Sequence, residues 1–260
     1  MMKKYLKSWL HKLFLPRGRQ FIPNEKLEVF WTKRVLNYQP KTLVVLENFK
    51  PDAKGLVILC HPYLAEARQF YLKRGHADLY KGLGWNVVIF DFNGFGESPF
   101  VNFRYDEDLD IIARHFKGLY PNLPIVAHGI SFGASQVITY SSNSNNILNK
   151  IIIENCLDTN LSYYKKRNHR LYKLIKLGMK ISKYVNPNYD YVRAAAQIKN
   201  IEKALLIYNT DDELTTIEMG KQIVKNMKIP CNLTILSGKH LEAYEKNMID
   251  YAGLIKSFLN

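Results

Sequence analysis

Apolar and polar residues recur along this chain with two periods that take turns. Short apolar runs at residues 56–60, 86–90, 123–127, 150–154, 204–208 and 231–236 are rich in Val, Ile and Leu. Runs of this length without polar alternation predict strands buried on both faces. Between them the spacing becomes helical, at 65–83 (closing at Gly84), 106–119, 134–140, 216–227 and 240–259. Two earlier stretches, 27–31 and 42–47, predict a leading antiparallel pair of strands, and Pro51-Asp52 turns the chain after them. Strands alternating with helices predict an α/β chain with a mostly parallel twisted sheet and helices on both faces.

Two stretches depart from this rhythm. Residues 160–200 separate two strands by more chain than a crossover needs. They carry Lys165, Lys166, Arg167, Arg170, Lys173, Lys176, Lys180 and Lys183, interleaved with Tyr163, Tyr164, Leu171, Tyr172, Leu174, Ile175, Leu177 and Met179. At the other end, Leu6, Trp9, Leu10, Leu13 and Phe14 share one helical face, with Lys4, Lys7, His11 and Lys12 mostly off it. Pro16 and Gly18 stop that helix. Such a basic amphipathic segment suits an anionic membrane interface; packing on the chain's own sheet is the alternative. Its apolar residues are too interrupted for a cleavable signal peptide. The expected organisation is a basic segment over 1–20 followed by one domain over 21–260.

Composition adds a charge argument. Hydrophobic residues at 47% and charged residues at 23% are ordinary for a globular domain of 260 residues. A net charge of +14 is not, and it predicts attraction to anionic surfaces, unless Lys is simply the default surface residue here. No stretch resembles a nucleic-acid module, so nucleic acid is not an expected partner. Cys60, Cys156 and Cys231 lie in or beside apolar runs without metal-ligand spacing, which suits reduced thiols in the cytoplasm. No run is long enough for a membrane span.

The chemistry concentrates in Gly129-Ile130-Ser131-Phe132-Gly133, set between a strand pattern and a helix pattern. A serine nucleophile must project from a turn too sharp for side chains on its neighbours, and glycines two before and two after give that room. The following helix aims its free N–H groups at the serine, where they can stabilise negative charge. A plain Gly-Ser turn is the bland alternative.

Strand, GISFG and helix together resemble the nucleophile elbow of the α/β-hydrolase fold. His61-Pro62-Tyr63, after an apolar run, stands where that family usually has His-Gly. The stretch from Asp91 to Ser98 resembles its D-x-R-G-x-G-x-S loop, with Asn93 in the Arg place. The resemblance spans roughly residues 40–260 and is nearest the serine aminopeptidase-like branch. It implies an α/β-hydrolase fold with a small helical lid at 160–200, where Leu171, Leu174, Ile175 and Met179 suit a helix with one face on an acyl pocket, Leu171 and Ile175 being the expected substrate contacts. A surface helix with a solvated basic face is the other reading of that segment.

The resemblance also implies the order Ser, acid, His. Residues 209–215 resemble the G-x-x-D-x-x-V turn, with Asn209 and Thr215 in the Gly and Val places; that register selects Asp212, with Asp211 and Asp158 as alternatives. Ser237-Gly238-Lys239-His240 resembles G-x-G-H and selects His240, which a surface histidine capping the last helix would also explain. The oxyanion hole would combine the backbone N–H groups of Phe132 and Tyr63, and Tyr63 would also touch substrate. His61, His128 and Asp91 are read as structural. The expectation is a serine hydrolase of carboxylic esters or thioesters, acting on a small acyl substrate without metal or organic cofactor. A peptidase or acyltransferase with the same three residues, or a silent binding protein of this fold, are the alternatives.

Overall fold

The computed structural model describes residues 21–181 and 190–260. The basic segment over 1–20, part of the 160–200 stretch (residues 182–189) and the Met179 side chain lie outside the described residues.

Eight strands form one sheet: β1 (Thr32–Tyr38), β2 (Lys41–Asn48), β3 (Leu56–Cys60), β4 (Asn86–Phe90), β5 (Ile125–Ile130), β6 (Lys150–Glu154), β7 (Lys203–Asn209) and β8 (Cys231–Leu236). Their order is β1-β2-β4-β3-β5-β6-β7-β8. β1 and β2 pair antiparallel, β2 joins β4 antiparallel, and β3 through β8 are parallel to one another. Every residue of β3, β4 and β5 is buried, as unbroken apolar runs predict for strands covered on both sides.

Successive side chains point to opposite faces, and two cores result. On one face Ile58, Val88 and Ala127 meet the helices Tyr105–Leu119, Phe132–Ser141 and Ile217–Asn226 through Leu109, Phe116, Val137 and Ile223. On the other, Val57, Leu59 and Val126 meet Phe70, Tyr80, Tyr251 and Ile255 from the helices Gln69–Lys73, His76–Gly82 and Met248–Leu259.

Several expectations need correction. Residues 27–31 are not a strand: residues 25–28 form a short helix that the Asn24 side chain caps by accepting the Lys26 N–H at 3.2 Å. The strand lies just after it, in β1, an edge strand in which only Leu36 is buried. The predicted helix over 65–83 is two helices, because Gly75 adopts φ +76° between them. The predicted helix over 240–259 begins later and is broken at Asn247, leaving Ala243–Lys246 and Met248–Leu259. Asn247 donates to the carbonyls of Ser237 (2.8 Å) and Ala243 (2.9 Å), so the break ties the helices to the loop before them. The strand predicted at 123–127 runs on to Ile130.

The long insert leaves the fold at a narrow neck, where Thr159 and Asp190 form an isolated antiparallel bridge. Its first helix, Asn160–Arg167, is capped by Thr159; its second, His169–Ile181, packs on the first. Lys166 Nζ donates to the carbonyls of Glu213 (2.5 Å) and Leu214 (3.3 Å), fastening the insert to the loop after β7.

Candidate active site

The strand β5 ends in a turn that only particular neighbours permit. Ser131 itself takes φ +56°, ψ −112°, a conformation side chains rarely adopt, between Ile130 and the helix Phe132–Ser141. A Cβ on Gly129 would stand 2.4 Å from the Gly133 backbone, and one on Gly133 would stand 1.8 Å from the Cys60 carbonyl oxygen. Both glycines are therefore steric requirements of the turn. The Ser131 N–H donates to the Glu154 carbonyl at 2.8 Å, which anchors the turn to β6.

β7 and β8 are neighbours, so the loops after them are adjacent. The Asp211 N–H donates to the Gly238 carbonyl at 3.0 Å, and Asn209 Nδ2 donates to the Lys239 carbonyl at 2.7 Å. From the second loop His240 reaches across the ends of the strands. Its Nε2 is 3.0 Å from Ser131 Oγ, and its Nδ1 is 2.6 Å from Asp212 Oδ2. With Nδ1–H donating to the carboxylate, Nε2 is left free to accept the serine proton.

The Asp212 carboxylate is enclosed by donors. Oδ1 accepts the N–H groups of Leu214 and Thr215, each at 2.8 Å, while Oδ2 accepts from His240, Thr215 Oγ1 and Asn155 Nδ2. Burial by itself would raise its pKa. The hydrogen bond and charge of His240, helped by Thr215, outweigh that and bring it down to about 2. Asp211 is exposed, and Asp158 accepts the neighbouring Thr159 N–H at 2.7 Å; neither meets the histidine.

Phe132, the residue after the serine, packs its ring on Tyr63. Their rings are 5.4 Å apart, and Phe132 also contacts Phe95 at 5.6 Å and Tyr105 at 4.9 Å. Among the described residues neither backbone N–H donates to a protein acceptor. The Tyr63 hydroxyl is pushed up by burial and by the nearby phenols of Tyr164 and Tyr163, which belong to the helix Asn160–Arg167. Leu171 and Ile175 are half-buried on the second helix of the insert, which packs on the first. Leu174, which the sequence placed with them, is 65% exposed.

The remaining predicted positions are structural. His61 Nδ1–H donates to the Pro62 carbonyl at 2.8 Å, and Nε2 accepts the Phe92 N–H at 3.2 Å; burial lowers its pKa to about 4, so the ring stays neutral. His128 lies behind the serine, 3.0 Å from Tyr80 OH. Asp91 accepts the N–H of Arg68 and of Glu97, each at 3.0 Å, and also the Arg68 guanidinium. A Cβ on Gly96 would stand 2.1 Å from Asp91, so that glycine lets the loop close on the carboxylate.

Asn155, Thr215 and Arg68 went unnoticed as polar anchors. Asn155 had one signal: it ends an apolar strand, and it adopts φ +51°, a region asparagine tolerates better than most residues.

No protein-family model matches the chain. A protein of Bacillus subtilis (strain 168), "Uncharacterized protein YqkD", is 26% identical over 224 residues, covering 80% of this chain and 72% of that one. The Pyrococcus furiosus esterase Pf2001 superposes with a TM-score of 0.73 at 18% identity, covering 95% of this chain and 97% of that one. An alpha-beta serine hydrolase homologue from Coxiella burnetii gives 0.64 at 17% identity, covering 88% and 97%. At these identities the likeness is one of fold.

Proposed function

From the premise that this chain has the α/β-hydrolase fold, we propose that it is a serine hydrolase of carboxylic esters or thioesters, working through an acyl-enzyme. The observation that carries this reading is the hydrogen-bonded line from Ser131 through His240 to Asp212. A serine hydroxyl is a weak nucleophile until a base removes its proton, and the base works best when a carboxylate holds its tautomer.

In this reading Ser131 Oγ attacks the substrate carbonyl while His240 Nε2 takes the serine proton. The oxyanion that forms is met by the N–H groups of Phe132 and Tyr63, each such donor being worth about 10²–10³ in rate. His240 returns the proton to the departing alcohol or thiol. It then deprotonates water, which attacks the acyl carbon and releases the acid and the free serine. Asp212, charged and shielded, stabilises the imidazolium in both halves. The Phe132 ring, with Tyr63, Phe95 and Tyr105 around it, offers an apolar wall beside the serine and favours an apolar acyl part.

The direct experiment is labelling with a fluorophosphonate, followed by hydrolysis of p-nitrophenyl esters of increasing acyl length. Ser131→Ala should abolish both label and turnover with the fold intact. Label persisting in Ser131→Ala would remove the assignment.

A further inference from the structure

The insert carries a surface that hydrolysis does not use. Residues 160–189 contain eight Lys or Arg and no Asp or Glu, so this part of the chain has no acidic counterpart of its own. In the helix His169–Ile181, at 3.6 residues per turn, His169, Lys173, Lys176 and Lys180 fall along one line. Leu177, Arg170 and Leu174 flank that line, and Leu171, Tyr172 and Ile175 face the other way. Burial follows the same division: Leu171, Tyr172 and Ile175 are half-buried, while His169, Arg170, Lys173, Leu174, Lys176, Leu177 and Lys180 are exposed. Leu174 at 65% and Leu177 at 55% exposure are therefore apolar side chains left in water beside a row of cations. No described carboxylate pairs with Arg170, Lys173, Lys176 or Lys180.

We propose that the outer face of the helix His169–Ile181 docks on an anionic lipid surface, with Leu174 and Leu177 entering the interface and Arg170, Lys173, Lys176 and Lys180 on the headgroups. Interfacial helices combine these features: an apolar strip to enter the acyl boundary and cations whose stems run beside it to the phosphates. Charge complementarity favours an anionic partner, and the two exposed leucines favour lipid over nucleic acid, whose phosphates offer them nothing apolar. The helix is not remote from the site. It packs on Asn160–Arg167, which Lys166 fastens to the carbonyls of Glu213 and Leu214, next to Asp212. Docking here would hold the insert, and the Asp212 loop it is fastened to, near the lipid, so the proposal rests on the hydrolase reading and deepens it by placing its acyl substrates at an interface.

The test is sedimentation of the full chain with vesicles of phosphatidylcholine alone and with vesicles that also contain phosphatidylglycerol. Binding only to the second, mostly lost by about 0.5 M salt, is the expected result. Lys173→Gln/Lys176→Gln/Lys180→Gln should bind roughly a hundredfold more weakly, at roughly fivefold per cation. Leu174→Gln/Leu177→Gln should also bind more weakly. Both variants should keep the parent's circular dichroism and its turnover of a short soluble ester. Measuring binding on Ser131→Ala protein as well separates docking from catalysis, since that variant should bind like the parent whether or not Ser131 is the nucleophile. Equal binding to both vesicles overturns the proposal. So does parental binding by both helix variants, which would assign the attraction to basic residues elsewhere, including 1–20. Retention on duplex DNA or RNA without any gain from phosphatidylglycerol would likewise overturn it in favour of nucleic acid.

Discussion

Gly133 lies so close to Cys60 that a single methyl group would separate them: a Cβ there would overlap the Cys60 carbonyl oxygen at 1.8 Å. This contact seats the start of the helix after Ser131 against the end of β3, and so ties Phe132 to the segment that leads to Tyr63, the two residues proposed as oxyanion donors. Gly133→Ala should push the two apart. We expect a loss of about 1–3 kcal/mol in stability from the forced shift and at least about 10² in kcat from misplaced donors. Urea denaturation and steady-state kinetics on the same preparation test both. Unchanged kcat would show that the oxyanion donors do not depend on this contact.

Asp212→Asn should lower kcat by about 10³–10⁴, because the amide no longer fixes the imidazole tautomer. Asp211→Asn, at an exposed side chain, should leave it near the parent value. The reverse ranking would show that the acid is misassigned.

Thr215→Val removes one donor from Asp212 Oδ2 while keeping the shape. A hydrogen bond to a charged group is worth about 1.5 kcal/mol or somewhat more, so kcat should fall roughly tenfold at constant KM. A rise in KM with kcat unchanged would mean that Thr215 touches substrate instead.

How legible was this in the sequence? The bounds of β3, β4 and β6 coincide with their apolar runs, because strands buried on both faces keep an unbroken apolar centre; those of β8 coincide too, although it is an edge strand with no buried residue, where the same run predicted burial on both faces. β1 was missed for the opposite reason: with one buried residue, Leu36, it has no periodicity to detect, and the apolar residues just before it drew the assignment away. Ser131, Asp212 and His240, each picked by a short local pattern, do meet in space. Asn155 and Arg68 could not be picked that way. Their partners lie 57 and 23 residues off, at Asp212 and Asp91, and only the folded sheet brings them together.

The acid response of Asp212 has a definite sign. Its pKa near 2 lies below the usual value of about 3.9 for an unfolded chain, so it stabilises the fold above about pH 4 and loses that contribution as pH falls through 2. Throughout the working range the carboxylate stays charged. The pH profile of kcat/KM should therefore show no ionisation near pH 4 attributable to Asp212, and an acid step there that vanishes in Asp212→Asn would contradict this.

His76 is buried among Phe70, Tyr71, Tyr244 and Tyr251, with no partner for either ring nitrogen among the described residues. Burial, then the charges of His128 and Arg74, hold its pKa well below the usual 6.5. The unfolded chain thus takes up a proton that the fold refuses, and stability falls as pH drops below about 6.5. His76→Phe should raise stability by about 1–3 kcal/mol, the cost of an unsatisfied buried polar group, and by more at pH 5 than at pH 8. Denaturation at the two pH values measures it; a destabilised variant would show that the nitrogens are satisfied.

The hydrogen bond between Ser131 and His240 joins positions 109 residues apart. A contact that closes so long a loop forms late, since the entropy of closure must be met before it rewards the chain. The strand, turn and helix around Ser131 can assemble from neighbouring sequence, whereas the base arrives only when β7, β8 and the last helices have docked on them. Acquisition of fluorophosphonate reactivity is thus a clock for the end of folding: a refolding chain should regain its helical signal first and its reactive serine last.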